Sequence, residues 1–199
     1  TFYLEPVAVA LSARAAHRPV KIVMTRDDVF RASGPTSGAI VRMKMGAKKD
    51  GTLTAASASL WYEAGAFRGS PFGAGAMCAI ACYTIPNFFI EAHDVVLNRP
   101  KVAAYRAPGS PISTFATESL VDEIAQALKM DPLELRIKNA VTEGDQAPFG
   151  PKYPVIGLRA VLDAVKKSSH WNAALKPGQG RGVACGYWFN AGLNSSATV

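Results

Sequence analysis

The chain has 199 residues, of which 49% are hydrophobic and 19% charged, so it can bury one substantial core or two small ones. Its 17 glycines and 13 prolines are spread along the sequence, which excludes a low-complexity protein, and no apolar segment approaches the roughly 20 residues of a membrane helix. The formal net charge of +7 would suit a polyanion, but lysines and arginines occur singly or in pairs, so we expect no nucleic-acid binding.

The first predicted elements are a helix, a strand and a hairpin. Apolar residues at helical spacing predict a helix that starts near Leu4 and ends before Pro19. The short β-branched run at residues 20–25 predicts a strand. Alternating apolar and polar residues over 40–62 predict a β-hairpin, because Asp50-Gly51 in its middle is a strong hairpin turn signal.

The second half of the chain is predicted to be mainly helical. After one more strand at residues 88–97, the apolar period becomes helical beyond Pro111 and continues to Leu128, with Glu118, Asp122 and Glu123 on the solvated face. The next predicted elements are a helix capped by Asp131-Pro132 that ends near Asn139, a helix at residues 157–169 and a strand at residues 182–189.

Strands and helices are partly segregated along the chain, which favours an α+β architecture: a mixed or antiparallel sheet with packed helices. We expect residues 1–110 to contain the hairpin, residues 111–175 to be helical and residues 176–199 to form a strand leading onward, all within one truncated, multi-lobed unit. The pattern leaves open whether the later helices pack on the sheet or form a separate layer. Because Thr1 runs directly into a helix pattern without an initiator Met, we expect the chain to be an internal part of a longer polypeptide.

Cysteine and histidine spacing indicates no metal site. The cysteines include no CxxC pair, so we expect buried free thiols at Cys78, Cys82 and Cys185. The three histidines lack ligand spacing, and we assign them no metal. No signal peptide opens the chain, which favours a cytoplasmic location.

One loop differs from ordinary turns. Arg106 lies in a segment shaped by glycine and proline, immediately before the long predicted helix. A guanidinium and backbone N–H groups at a helix start can together hold an oxygen-rich anion, and the prolines restrict the shape of the loop. An ordinary surface turn is the competing interpretation.

The sequence around Arg106, Ala104-Tyr105-Arg106-Ala107-Pro108-Gly109, resembles the A-[FY]-R-x-x-G loop of the molybdenum hydroxylases. This family contains the xanthine dehydrogenases, aldehyde oxidases and bacterial carbon monoxide dehydrogenases. Further segments resemble it in the same order and at similar spacing: Arg18-Pro19-Val20-Lys21, Thr25-Arg26-Asp27-Asp28, Tyr83-Thr84-Ile85-Pro86-Asn87, Glu118-Ser119-Leu120-Val121-Asp122-Glu123 and Asp131-Pro132-Leu133-Glu134-Leu135-Arg136-Ile137-Lys138-Asn139. The ordered set indicates an internal piece of the large molybdopterin-binding subunit.

The resemblance implies a molybdenum-dependent oxidoreductase that hydroxylates a small-molecule substrate with oxygen from water. The cofactor would be molybdenum-molybdopterin, as such or in its cytosine dinucleotide form. Electrons would pass to [2Fe-2S] clusters and FAD in partner domains or subunits. By position, Arg106 matches the family arginine beside the cofactor, and Tyr105, Ala107 and Gly109 shape the same loop.

The resemblance also bears on the substrate. Pro108 stands where purine-oxidising members carry a stacking Phe, and Ala74 where xanthine-oxidising members carry an Arg that orients the purine. Ala107 replaces the copper-binding Cys of carbon monoxide dehydrogenases. An aldehyde or a (hetero)aromatic compound is therefore expected, rather than xanthine or carbon monoxide.

We expect no catalytic residue in this chain. In the family, a glycine-rich GGGFGG loop precedes the position of Thr1, and a general-base Glu lies further downstream. The isolated chain is accordingly expected to be inactive and to bind no cofactor stably. Two alternatives are a non-catalytic binding or scaffold module that retains the fold, with which Ala74 and Pro108 are compatible, and a basic nucleic-acid-binding domain.

Overall fold

A computed structural model describes residues 4–189 and 196–197. In these ranges the elements are, in chain order, α1 (Glu5–Arg14), α2 (Arg26–Ala32), β1 (Ala39–Ala47), β2 (Leu53–Gly65), α3 (Phe72–Cys78), β3 (Asn87–Val96), α4 (Ser110–Leu128), α5 (Pro132–Asn139), α6 (Leu158–Lys167) and α7 (Ser169–Asn172).

The three strands form one mixed sheet in the order β1-β2-β3. β1 pairs antiparallel with β2, with Met43 opposite Ala58, as the hairpin pattern predicted. Gly51 in the turn has φ +85°, a value that glycine adopts without steric cost. β3 runs parallel to β2, with Ile90 beside Ala58, and α3 lies in the connection between them. The predicted α+β class is confirmed.

The two faces of the sheet differ in burial. On β2, Ala56, Ala58, Leu60 and Tyr62 are buried, whereas the intervening residues are only partly so. The buried face packs against α3 and α4, and its small alanines let these helices approach closely. The other face carries Trp61, whose ring stacks on His93 of β3 with 5.4 Å between ring centroids.

The later helices share one core with the sheet. The main cluster joins Leu53 of β2 with Val121 of α4, Leu135 of α5 and Leu162 of α6. This shared cluster decides the question that the sequence pattern left open: α4 packs on β1, α5 packs on α4 and α6 packs on α5, all around one core with the sheet.

The strand predicted at residues 20–25 is wrong. Residues 18–25 are irregular, and Thr25 instead begins α2 through a capping box with Asp28. The Thr25 hydroxyl accepts a hydrogen bond from the Asp28 backbone N–H, and the Asp28 carboxylate accepts from the Thr25 N–H at 3.0 Å. A β-branched run becomes a strand only where another strand pairs with it, and none pairs with this run in the described part of the chain.

The strand predicted at residues 182–189 is also wrong, since these residues are irregular. Side chains of α4 bind their backbone instead, with Ser110 and Glu118 each making one hydrogen bond to this segment. The predicted helix at residues 157–169 is confirmed as α6, although extended backbone at Ser168 separates it from the short α7.

The cap of α5 offers a test of the local structure. The Asp131 carboxylate accepts hydrogen bonds from the backbone N–H groups of Leu133 and Glu134, at 2.8 and 3.0 Å. We expect Asp131→Ala to lower the free energy of unfolding by about 1 kcal/mol, because two N–H groups lose their partner. Chemical denaturation of the purified protein measures this change. Asp131→Asn is the matched control and should retain most of the stability; equal losses in both variants would contradict a capping role.

Candidate functional site

The loop that leads into α4 is folded back on itself. Ala107 and Gly109 have positive φ values, +55° and +86°, so the backbone reverses twice over a short distance. The Tyr105 hydroxyl accepts a hydrogen bond from the Gly109 N–H at 3.0 Å, and the Ser110 N–H donates to the Ala107 carbonyl at 3.1 Å. The Tyr105 side chain therefore closes the loop, and Arg106 lies within it.

Gly109 is clamped between β2 and α3. Its carbonyl accepts a hydrogen bond from the buried Tyr62 hydroxyl at 2.9 Å. Burial raises the pKa of Tyr62 to about 12, so the hydroxyl remains protonated and donates. A Cβ atom at Gly109 would collide with the Pro71 carbonyl oxygen and would come within 2.9 Å of the Gly75 nitrogen. Only glycine fits this position without displacing α3.

Helix α3 places Ala74, a predicted substrate-pocket residue, near the loop. Gly75 of α3 contacts Gly109, and a Cβ at Gly75 would lie 2.7 Å from Cζ of Tyr62. Ala74 and Pro108 are therefore the chain neighbours of two glycines in contact. No sequence pattern predicted α3, because a seven-residue segment with two glycines has no clear helical period. Tyr62 and Gly75 were not predicted to support the loop; the pair Gly73 and Gly75 was a signal for close packing of this segment.

The Arg106 side chain is exposed. Among the described residues it makes no hydrogen bond and no salt bridge, so its guanidinium is available to a ligand. The loop precedes the first turn of α4, a 19-residue helix with Pro111 near its start. The partial positive charge of a helix start favours anions, as does a guanidinium, whereas the Gly109 and Ser110 N–H groups are already bonded within the loop. The loop can thus bind an anionic group that carries several oxygen atoms.

An open groove lies beside the loop. It measures about 410 Å³ and is lined by Tyr105, by Ile112 and Phe115 of α4, and by Thr36 and Ser37 before β1. Ser37 is only 4% exposed, and its Oγ has no hydrogen-bond partner among the described residues. Tyr105 thus lines the groove and also closes the loop through its hydroxyl.

Glu118 is buried in the core, contrary to the prediction from its helical period. It was predicted on the solvated face of its helix, but it is 5% exposed and pairs with Arg136, which is fully buried. Glu118 Oε2 lies 2.8 Å from Arg136 Nε, and Glu118 Oε1 accepts from the Tyr83 hydroxyl at 2.5 Å. Arg136 also pairs with Asp122 at 2.8 Å, on the exposed side of α4. Glu118 and Arg136 thus join α4 to α5 in the core, and the exposed Asp122 pairs with Arg136 from the solvent side.

Buried thiols account for the cysteines. Cys78, Cys82 and Cys185 are all free and buried, and burial raises the pKa of each thiol. Within residues 4–189 and 196–197 no group of three or more His, Cys, Asp or Glu side chains could hold a metal ion. No helix in the same ranges is long and apolar enough to cross a membrane.

Comparisons with known proteins place this geometry in a family. A family model described as "Molybdopterin cofactor-binding domain" matches residues 1–140. The chain is 36% identical over 181 residues to an aldehyde oxidoreductase of Megalodesulfovibrio gigas, a match that covers 88% of the chain and 20% of that protein. It is 31% identical over 193 residues to a putative xanthine dehydrogenase molybdenum-binding subunit of Escherichia coli K12, covering 91% of the chain and 26% of that subunit.

Solved structures agree with the sequence matches. The aldehyde oxidoreductase from Desulfovibrio gigas superposes with a TM-score of 0.69 at 33% sequence identity, covering 83% of this chain and 18% of that one. The chain thus spans about a fifth to a quarter of the length of the relatives described here.

Proposed function

Because the chain belongs to the molybdopterin cofactor-binding domain family, we propose that residues 105–109 hold part of a molybdenum-molybdopterin cofactor. The observation that carries this proposal is the Arg106 guanidinium, exposed and unpaired within the described residues, on a loop that is clamped in place at the start of α4. A molybdopterin carries an anionic phosphate and several further oxygen atoms, which an exposed guanidinium can bind through charge-assisted hydrogen bonds.

Each residue of the loop has a distinct part in the proposal. Arg106 would neutralise and orient the anionic part of the cofactor. Tyr105 and Gly109 would hold the backbone of the loop in the required shape, and Ala107 adopts the left-handed conformation that turns it. When bound, the cofactor would supply the oxygen-transfer and two-electron redox chemistry, to which the protein adds binding and orientation.

For the whole protein we propose a molybdenum-dependent oxidoreductase that hydroxylates an aldehyde or a (hetero)aromatic compound with water-derived oxygen. The printed names of the relatives, an aldehyde oxidoreductase and a molybdenum-binding subunit, support this class. We further propose that electrons leave through [2Fe-2S] clusters to FAD in partner domains or subunits. For the cofactor we propose molybdopterin or its cytosine dinucleotide, and release of cytidine monophosphate on acid hydrolysis of the purified protein distinguishes the two. The cytoplasmic location and the division into residues 1–110, 111–175 and 176–199 stay predictions.

The substrate proposal rests on Ala74 and Pro108. Ala74 has no group that could orient a purine, and the saturated ring of Pro108 offers no aromatic face for stacking. Both residues lie beside the contact between Gly75 and Gly109; Pro108 belongs to the loop that carries Arg106, and Ala74 is close to it. This favours an aldehyde, or a (hetero)aromatic compound other than a purine, over xanthine. We place no catalytic side chain in this chain and expect the general-base Glu downstream of it.

The test is the molybdenum and pterin content of Arg106 variants. The full protein is purified with any accompanying subunits from cells that supply the cofactor. We expect Arg106→Ala to weaken cofactor retention about tenfold or more, because charge-assisted hydrogen bonds are lost. Arg106→Lys should be intermediate, since lysine keeps the charge but not the paired donors. Arg159→Ala is the control, as Arg159 lies on α6 and pairs with Asp163.

Unchanged molybdenum and pterin in Arg106→Ala would contradict the proposed role of the loop. Absence of molybdenum from the unmodified protein, in cells able to supply it, would instead favour the alternative of a binding or scaffold module that keeps the fold. Turnover of an aldehyde with an artificial electron acceptor would support the enzyme, and its absence in the molybdenum-loaded protein would direct the search to heteroaromatic substrates.

A further inference from the structure

Residues 182–187, which we call the strap, run along α4 without forming a strand. Two side chains of α4 bind the backbone of the strap. Glu118 Oε2 accepts a hydrogen bond from the Cys185 N–H at 2.9 Å, and the Ser110 hydroxyl donates to the Tyr187 carbonyl at 2.7 Å. These two residues lie about two helical turns apart, so the strap is fixed along the first half of α4.

The Glu118 end of the strap is rigid because Glu118 is itself held from several sides. Besides Cys185, its carboxylate accepts hydrogen bonds from Arg136 Nε at 2.8 Å and from the Tyr83 hydroxyl at 2.5 Å. Arg136 is fully buried and donates further hydrogen bonds to the carbonyls of Pro132 and Glu118. A carboxylate with this many donors has little freedom to shift.

The other end of the strap is held by aromatic packing. The Tyr187 ring lies 5.8 Å from the ring centroids of both Phe149 and Tyr153. The Tyr153 hydroxyl donates to the Ala81 carbonyl at 2.7 Å, which ties this cluster to the segment that follows α3. The position of the Tyr187 carbonyl is therefore set by contacts in which residues 105–109 take no part.

Ser110 joins this fixed carbonyl to the loop. It is 5% exposed and directly follows Gly109, whose N–H and carbonyl are already bonded to Tyr105 and Tyr62. A serine in the first turn of a helix commonly bonds to its own helix. Here the hydroxyl lies 3.5 Å from Thr114 Oγ1 on its own helix, but its shorter hydrogen bond, at 2.7 Å, goes to a carbonyl far away in the sequence.

We propose that Ser110 is a positioning residue: through its bond to the strap it holds the loop of residues 105–109 in the conformation that binds the cofactor. This inference rests on the proposed function, because it takes that loop as part of the cofactor site. The inference adds to the site one residue outside the loop and one segment distant in sequence, and both help to position Arg106.

The first measurement uses the cofactor-free protein. Hydrogen exchange followed by mass spectrometry should show that Ser110→Ala speeds exchange in the peptide of residues 104–110 by about fivefold, the effect of one lost buried hydrogen bond. Exchange in the α5 peptide should not change. Ser119→Ala is the matched control, because Ser119 lies on the same helix, is exposed and bonds only to the Phe115 carbonyl within the described structure. It should change neither peptide.

The second measurement is molybdenum retained by the loaded protein after dialysis, for Ser110→Ala, Ser119→Ala and Arg106→Ala. We expect Ser110→Ala to weaken retention about fivefold and Ser119→Ala not at all. Exchange that rises equally in all peptides would show a general loss of stability and overturn the positioning role. Faster local exchange with unchanged retention would overturn it too. If Arg106→Ala also retains all its molybdenum, the proposed function itself is wrong; if Arg106→Ala loses molybdenum and Ser110→Ala does not, only this inference is.

Discussion

Arg136→Met is expected to lower the free energy of unfolding by about 3–5 kcal/mol, the usual loss when one partner of a buried ion pair is removed. Arg136 is fully buried, and Glu118 is nearly so. Without the guanidinium, the Glu118 carboxylate would remain in the core with the Tyr83 hydroxyl and the Cys185 N–H as its remaining donors from the described residues. The strap, α4 and α5 meet at this point, so the lost interactions should destabilise the whole core. Denaturant unfolding of the purified protein measures it.

Two variants sharpen this prediction. Lys138→Met on the same helix removes a partly exposed charge that pairs with Asp50 at 3.4 Å, and it should change the stability only slightly. The double variant Glu118→Leu with Arg136→Met should recover part of the loss, since it leaves no unpaired charge in the core. A single variant Arg136→Met that is as stable as Lys138→Met would show that the buried pair does not stabilise the fold.

Gly109→Ala should destabilise the protein by about 2–4 kcal/mol, because two costs act together. A side chain at φ +86° is strained by about 1–2 kcal/mol, and the added Cβ must displace the Pro71 carbonyl or the backbone of Gly75. The displacement would also move residues 105–109, so we expect the loaded protein to lose molybdenum. Denaturant unfolding and metal analysis of the same preparation measure both effects.

Gly144→Ala separates the two costs. Gly144 has φ +85°, and a Cβ there would meet nothing within 4 Å. It should therefore show the backbone strain alone, about 1–2 kcal/mol, with full retention of molybdenum. If Gly109→Ala lowered the free energy of unfolding no more than Gly144→Ala, the close approach of α3 to the loop would not contribute to stability. The proposed clamping of Gly109 between β2 and α3 would then be wrong.

Local chemistry explains what the sequence by itself determined. The alternation over residues 40–62 with Asp50-Gly51 between the arms predicted β1 and β2, because side-chain period and turn chemistry are properties of neighbouring residues. The Asp131 cap and the helical period after Pro111 predicted α5 and α4 for the same reason. The segments that resemble the molybdenum hydroxylases predicted the family, which the match over residues 1–140 confirms.

Contacts between distant residues decided the rest. Residues 20–25 and 182–189 have strand-like composition, but a strand requires a pairing partner, and no local pattern reveals whether one is present. The helical period indicates that Glu118 is a solvated charge on α4, and only the packing of α5 places Arg136 against it. The site shows the same division: Arg106 and its loop were visible in the sequence, whereas the support from Tyr62, Gly75 and the strap exists only where β2, α3 and residues 182–187 meet around Gly109 and Ser110.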